Sequence, residues 1–311
     1  MQKALQNYTL LLASFLTVVI FASYGKKKEG KTDETPVAAA PIAKIPQVIK
    51  PIELDQTFSL AGERVPIENP DVYERMDREL SVNTYWHSTT LLNIKNAYKY
   101  FPIIEKILAE EGVPDDFKYL AIAESNLRPA KSPAGARGLW QFMSETGRYY
   151  GLEISKEVDE RYHVEKSTRA ACQYIKDYHK RFGSWTLAAA AYNMGGTRLK
   201  REMEVQRGDT YYDLNLNQET DRYVFRIIAI KEVIGNPEKF GFYLDREDGY
   251  EPMTDFELVE VDGTIPNLGD FALKHGISYR TLKVYNTWLR SSKLTNSARK
   301  TYEIKIPNKK F

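Results

Sequence analysis

The stretch Glu124–Met143, ESNLRPAKSPAGARGLWQFM, decides how this chain is read. Just upstream, PDDFKYLAIA opens with Pro114 and the acids Asp115 and Asp116, which suit the first turn of a helix. Phe117, Leu120 and Ala121 share one face of that helix, and Glu124 falls on the same face. A glutamate is therefore directed towards the core side. Burying it ionised would be costly without compensation, so the group is expected to hold its proton at neutral pH. An acid that stays protonated and can later act as a base is what cleavage of a glycosidic bond needs. The plainer alternative is a carboxylate that caps its own helix or pairs with Arg128 or Arg137 at the surface.

Downstream, Pro129 is expected to end the helix, and SPAGARG puts Gly135 and Gly138 where a sugar chain could approach the backbone. GLWQFM reads as a new helix carrying Trp140, Gln141 and Met143 near the carboxylate. Gln141 could hydrogen-bond an acetamido group or the glutamate itself, and Trp140 serves equally well as core. Further on, AYNMG supplies Tyr192 and Asn193 at a helix end, and ETDRYV supplies Tyr223.

Outward from this stretch, residues 63–245 carry apolar positions at helical spacing. DVYERMDRELSVN reads as one helix and TTLLNIKNAYKYFPIIEKILAEEG as two, bent at Pro102 and closed by Gly112. EKSTRAACQYIKDYHKRFG, SWTLAAAAYNMGG and NQETDRYVFRIIAIKEVIGNP are three more. Residues 246–311 change character: FELVEV and TYEIKIP read as strands flanking two short helices, LGDFALKHG and SYRTLKVYN. The expected fold is mainly α, a helical domain followed by a small βααβ domain. Ahead of both, residues 1–25 form an uncharged apolar run after Lys3, a signal peptide or signal anchor. No cysteine follows that run closely, which excludes a lipoprotein. Residues 26–62, rich in Pro, Ala and Lys, read as a flexible linker.

The 311 residues carry a net charge of +2, without the strong basic bias of a nucleic-acid binder. One cysteine and four scattered histidines offer neither a disulfide nor metal-ligand spacing, so no metal or cofactor is expected. Cys172 is expected in the core.

In order, Glu-Ser followed by Pro, then Ser-x-x-Gly-Ala-x-Gly-Leu-Trp-Gln-Phe-Met, then Ala-Tyr-Asn, then Glu-Thr-x-x-Tyr-Val resembles the soluble-lytic-transglycosylase domain of glycoside hydrolase family 23. The resemblance spans roughly residues 90–240 and is closest to the membrane-bound lytic murein transglycosylase D group. It implies a lysozyme-like domain with Glu124 as the catalytic acid. By similarity Ser132, Gln141 and Met143 line the site, Tyr192 and Asn193 contact an acetamido group, and Tyr223 hydrogen-bonds near the glutamate. The C-terminal part resembles a LysM module, which binds glycans in its family between its first strand–helix and second helix–strand loops. Here the first of those loops is lengthened to DGTIPNLGD. The alternative for this part is a small packing domain.

The resemblance implies a carbon-oxygen lyase that cleaves peptidoglycan to 1,6-anhydro ends in the periplasm. Implied partners are peptidoglycan glycan strands, with membrane association through the N-terminal segment, no nucleic acid, and a monomer. A goose-type lysozyme-like muramidase and a non-enzymatic peptidoglycan-binding protein are the alternatives. Most glycosidases need two carboxylates about 5–5.5 Å or about 6.5–9.5 Å apart. Asp159, Glu160, Glu219 and Asp221 are the candidate seconds, each in a setting that suits a cap or a surface pair better.

Overall fold

The computed structural model describes residues 49–309. The chain divides into Met1–Lys50 and Pro51–Phe311. The apolar run at residues 1–25 and most of the linker lie outside the described residues. Among the described residues, no helix is long and apolar enough to cross a membrane.

The packed chain begins earlier than residue 63. Leu54, Phe58 and Leu60 are buried in the helical core, and β1 (Ser59–Leu60) pairs antiparallel with β2 (Glu63–Arg64) around a turn at Ala61 and Gly62. Strands of two residues are too short to show an alternation in the sequence. The hairpin also caps a helix, because Glu63 accepts hydrogen bonds from the amides of Trp185 (2.5 Å) and Thr186 (2.9 Å), the otherwise unpaired donors of a helical first turn. Burial alone would raise its pKa, but these bonds and those from the Ser184 and Thr186 hydroxyls hold it low.

The helical domain comprises α1 (Pro70–Tyr85), α2 (His87–Glu111), α3 (Lys118–Ser125), α4 (Ser144–Tyr149), α5 (Val164–Phe182), α6 (Trp185–Met194), α7 (Gly196–Gln206) and α8 (Gln218–Gly235). Helix α2 runs unbroken through Pro102, contrary to the expected division. Ile94, Ala97 and Tyr100 before the proline and Ile103, Ile104 and Ile107 after it are buried in one core, which offsets the lost backbone bond. Helix α8 is central, packing against α1, α3 and α6. Its N-cap is Asn217, and Ser184 caps α6. Cys172 is buried, as its Ala-rich surroundings suggested.

The C-terminal part is β3 (Phe256–Val261), α9 (Leu268–Lys274), α10 (Tyr279–Tyr285) and β4 (Tyr302–Pro307), with the two strands antiparallel from Phe256 opposite Pro307 to Val261 opposite Tyr302. The molecule is thus a mainly helical domain followed by a small domain of strands and helices. Leu268, Ala272, Leu282, Trp288, Leu289 and Ile304 fill the small core. Two side chains of the helical domain, Val158 and Tyr162, complete it.

Candidate active site

Phe117, in the 3-10 turn that leads into α3, and Leu120 and Ala121 of α3 are completely buried, and Glu124 follows on that side at the last turn of the helix. The helix stops sooner than Pro129. Asn126 and Leu127 both take left-handed backbone angles, with φ of 53° and 51°. Asn126 is held there by Asn93 (3.1 Å) and Asn96 (3.3 Å) from α2, and Leu127 by full burial. This pair of unusual conformations fixes the carboxylate at a sharp corner.

Among the described residues, Tyr223 of α8 is the hydrogen-bond partner of the Glu124 carboxyl, its hydroxyl donating to Oε1. None of the described lysines, arginines or histidines pairs with it: Arg137 is taken by Asp159 at 3.1 Å, and Arg128 faces solvent. The surface-pair alternative therefore fails. Burial pushes the Glu124 pKa up to about 7; Tyr223 opposes the rise, Glu219 adds to it and Arg226 reduces it. The residue remains partly accessible, so a proton can leave it.

The loop from Ala130 to Met143 packs over the end of α3. Ser125 Oγ, buried, donates to Leu139 O at 2.8 Å and ties the loop to the helix. GLWQFM is not a helix. Arg137 pairs with Phe142 as an isolated bridge, and Gln141 turns the chain with a φ of 48°. The reason is tertiary: Gly138, at φ 84°, lies so close to the backbone of Arg161 that an added Cβ would stand 1.8 Å from its carbonyl oxygen. Gly138 therefore serves packing and not sugar approach. Gly135 fits the expectation better, with open space where its Cβ would be.

Each expected site residue has a definite place. Trp140 is fully buried, donating to Thr168 at 2.9 Å, and is core. Gln141 Nε2 donates to Gly138 O at 2.8 Å rather than to Glu124, which leaves its amide oxygen for another partner. Ser132 Oγ accepts from the Ala136 amide at 3.0 Å and stays partly accessible, able to donate. Met143 is exposed. Tyr192 donates to Trp140 O at 2.7 Å and so holds the loop; burial, then the nearby Glu124 charge, pushes its hydroxyl pKa well up. Asn193 Oδ1 accepts from Thr220 at 2.8 Å, joining the end of α6 to the start of α8. Tyr223 bonds to the glutamate and Tyr192 lies within reach of its charge, while Ser132 and Gln141 are engaged in the loop itself.

Sequence reading missed Tyr174, whose ring lies 4.9 Å from that of Tyr192, and the Asp159–Arg161 pair. The four-residue spacing of Tyr174 and Tyr178 was the available signal for the first. The four candidate second carboxylates are all bound to cations: Asp159 to Arg161, Glu160 to Lys166, Glu219 to Arg226 and Asp221 to Arg75. Among the described residues, no cluster of potential ligands could hold a metal ion. A cavity of about 800 Å³ beside α2 and the segment Arg246–Pro252 contains none of the expected site residues.

Against known proteins, the transglycosylase SLT domain matches residues 101–215, and the soluble lytic transglycosylase C-terminal LysM-like domain matches residues 257–310. Membrane-bound lytic murein transglycosylase D of Escherichia coli (strain K12) is 31% identical over 233 residues, which is 73% of this chain and 50% of that protein. This chain belongs to the lytic transglycosylase family. It spans about half the length of the curated relative it matches. Two solved structures are partly similar. The 70 kDa soluble lytic transglycosylase of Escherichia coli matches over 45% of this chain and 24% of its own, at 21% identity and a TM-score of 0.39. An inactive mutant of the lytic transglycosylase Slt from Pseudomonas aeruginosa matches over 59% and 31%, at 21% identity and a TM-score of 0.41. The SLT match covers Glu124, the whole loop to Met143, and Tyr192 and Asn193, while Tyr223 lies beyond it.

Proposed function

We propose that this protein is a peptidoglycan lytic transglycosylase that cleaves the β-1,4 bond between N-acetylmuramic acid and N-acetylglucosamine without water. The observation that carries the reading is a single acid, Glu124, with a pKa of about 7, a phenol partner and no cation. Glu124 gives its proton to the glycosidic oxygen as the bond to the muramyl anomeric carbon breaks. The 2-acetamido carbonyl oxygen of the same sugar bonds to that carbon and takes up the positive charge. The Glu124 carboxylate then removes the proton of the 6-hydroxyl, O6 attacks the anomeric carbon and the acetamido group is released. The product is a 1,6-anhydro ring and Glu124 is reprotonated, so one group serves as acid and base. That economy suits a site whose other carboxylates are all held in ion pairs.

Ser132, Gln141 and Met143 line the glycan site, Tyr192 and Asn193 lie on the acetamido side, and Tyr223 orients the acid. We place the protein in the bacterial cell envelope, with residues 1–25 as export signal or anchor and residues 246–311 as the C-terminal module. The test is mass spectrometry of fragments released from purified peptidoglycan. Anhydro-ended fragments, one water lighter than hydrolytic ones, are expected from the wild type and none from Glu124→Gln. Reducing ends would make it a muramidase, and unchanged activity of the variant would refute the assignment of Glu124.

A further inference from the structure

The stretch from Glu153 to Tyr162 lies between the C-terminal module and the active-site loop and is bonded to both. On the module side, Val158 pairs with Leu289, and the Asp159 amide donates to Trp288 O at 2.9 Å. The Arg290 amide donates to Glu157 O at 2.7 Å, and the amide and hydroxyl of Thr295 donate to the Glu157 carboxylate at 2.7 and 2.9 Å. Thr287 Oγ1 donates to Tyr162 O at 2.7 Å, while the Arg290 guanidinium lies 4.2 Å from the centre of the Tyr162 ring. Tyr302 donates to Glu153 at 3.1 Å.

On the other side, Asp159 and Arg161 form an ion pair, 1% and 2% exposed, with Nε and Nη2 of Arg161 donating to the carboxylate at 2.9 and 2.8 Å. The remaining nitrogen, Nη1, donates to Gly135 O and Phe142 O, each at 3.2 Å. Those carbonyls belong to the two turns of the loop that carries Ser132 and Gln141. Arg161 thus grips both turns with one rigid guanidinium, while Asp159 fixes its plane.

We propose that the C-terminal module acts in cis as a buttress of the active-site loop, with Asp159 and Arg161 as the positioning residues that pass its hold to the loop. The second of the two loops expected to form a glycan groove, which connects α10 to β4, is spent on this contact through Thr287, Arg290 and Thr295. The module therefore contributes to turnover more than to adhesion. The inference rests on the reading of Glu124 as the reactive acid, because a misplaced loop lowers rate only if the loop borders the reacting bond.

The test loosens the module from the stretch without touching Asp159 or Arg161, whose replacement could prevent folding. Full-length protein carrying Glu157→Ala, Thr287→Val and Arg290→Ala together is compared with wild type, and Thr287→Ser serves as the conservative control that keeps its hydroxyl. Amide hydrogen exchange is expected to quicken both at residues 153–162 and at residues 130–143. On soluble glycan chains kcat is expected to fall about ten- to hundredfold with KM within about twofold, and Thr287→Ser to match wild type. Retention on insoluble peptidoglycan, measured in the Glu124→Gln background, is expected to stay unchanged. Faster exchange at residues 153–162 with residues 130–143 and kcat unaltered would overturn the proposal, as would loss of retention with kcat intact. If the wild type itself releases no fragments, the reading of function fails, and the exchange of residues 130–143 still decides whether the module holds the loop.

Discussion

Replacing Glu124 by Gln should make the protein more stable, by an amount that grows with pH. The side chain keeps its size and its acceptor for Tyr223 but loses the titration. In the folded chain the carboxyl holds its proton up to about pH 7, against an ordinary value of 4.5. Because the folded pKa is the raised one, wild-type stability from this group is intact below about pH 4.5 and is lost as pH rises through 7. The gap is worth about 3 kcal/mol at 1.36 kcal/mol per pK unit. Solvent on the open side of the residue screens part of it, leaving about 1–3 kcal/mol at pH 8. For a domain of this size that is a rise in Tm of about 3–10 °C. Urea melts of wild type and variant at pH 5, 6, 7 and 8 measure it. The difference between them should be near its minimum at pH 5 and widen by about 1 kcal/mol per pH unit before levelling near pH 8. A constant offset across that range would refute the reasoning, since it would mean that the carboxyl titrates alike folded and unfolded.

Two further substitutions test the surroundings of the acid. Tyr223→Phe removes the hydrogen bond that opposes the upward shift, so the Glu124 pKa should rise further. Turnover should fall overall, yet its loss on the alkaline side should move to higher pH, read from the pH profile of kcat/KM. An unmoved alkaline limb would separate Tyr223 from the acid. Glu63→Gln removes the charge that caps α6, the helix that carries Tyr192 and Asn193. The folded pKa of Glu63 is lowered, so its contribution is present above about pH 4.5 and fades as pH falls through the folded value. A loss of about 1–2 kcal/mol is expected at pH 7, shrinking in melts below pH 4.

The periodic helices were legible because several carry a start or a stop signal of their own. Ser184 and Gly183 bracket α6 and α5, Gly112 closes α2, and Ser278 opens α10. Glu124 was legible for the same reason, since Phe117, Leu120 and Ala121 define the face it shares. What the sequence hid was decided by distant partners. The turn at GLWQFM exists because Gly138 packs on Arg161, more than twenty residues on, and nothing local in the six residues opposes a helix. The hairpin at Ser59–Arg64 is too short for an alternation to register, and its cap on α6 spans more than one hundred residues. Helix α7 is polar on most of its surface, with only Gly196 and Leu199 buried, and leaves little periodicity to read.

The isolation of Glu124 gains its meaning from the other carboxylates this fold buries. Glu79 is 1% exposed and bound by Arg222 at 2.6 Å; Asp159 is 1% exposed and bound by Arg161 and Arg137; Glu160 is 5% exposed and bound by Lys166 at 2.5 Å. In each case the chain supplies a cation, as burial of a charge demands. One arginine is near enough for its charge to act on Glu124: Arg226 is one turn beyond Tyr223 on α8, but it is paired with Glu219 at 2.8 Å and faces Glu79 at 3.8 Å. A phenol is left to face the acid in place of a guanidinium. An arginine partner would lower the carboxyl pKa and leave it ionised at neutral pH, stable and unable to give a proton. With a neutral donor as its partner, burial keeps the proton in place at a cost to stability, and that cost is what the pH-dependent gain of Glu124→Gln would measure.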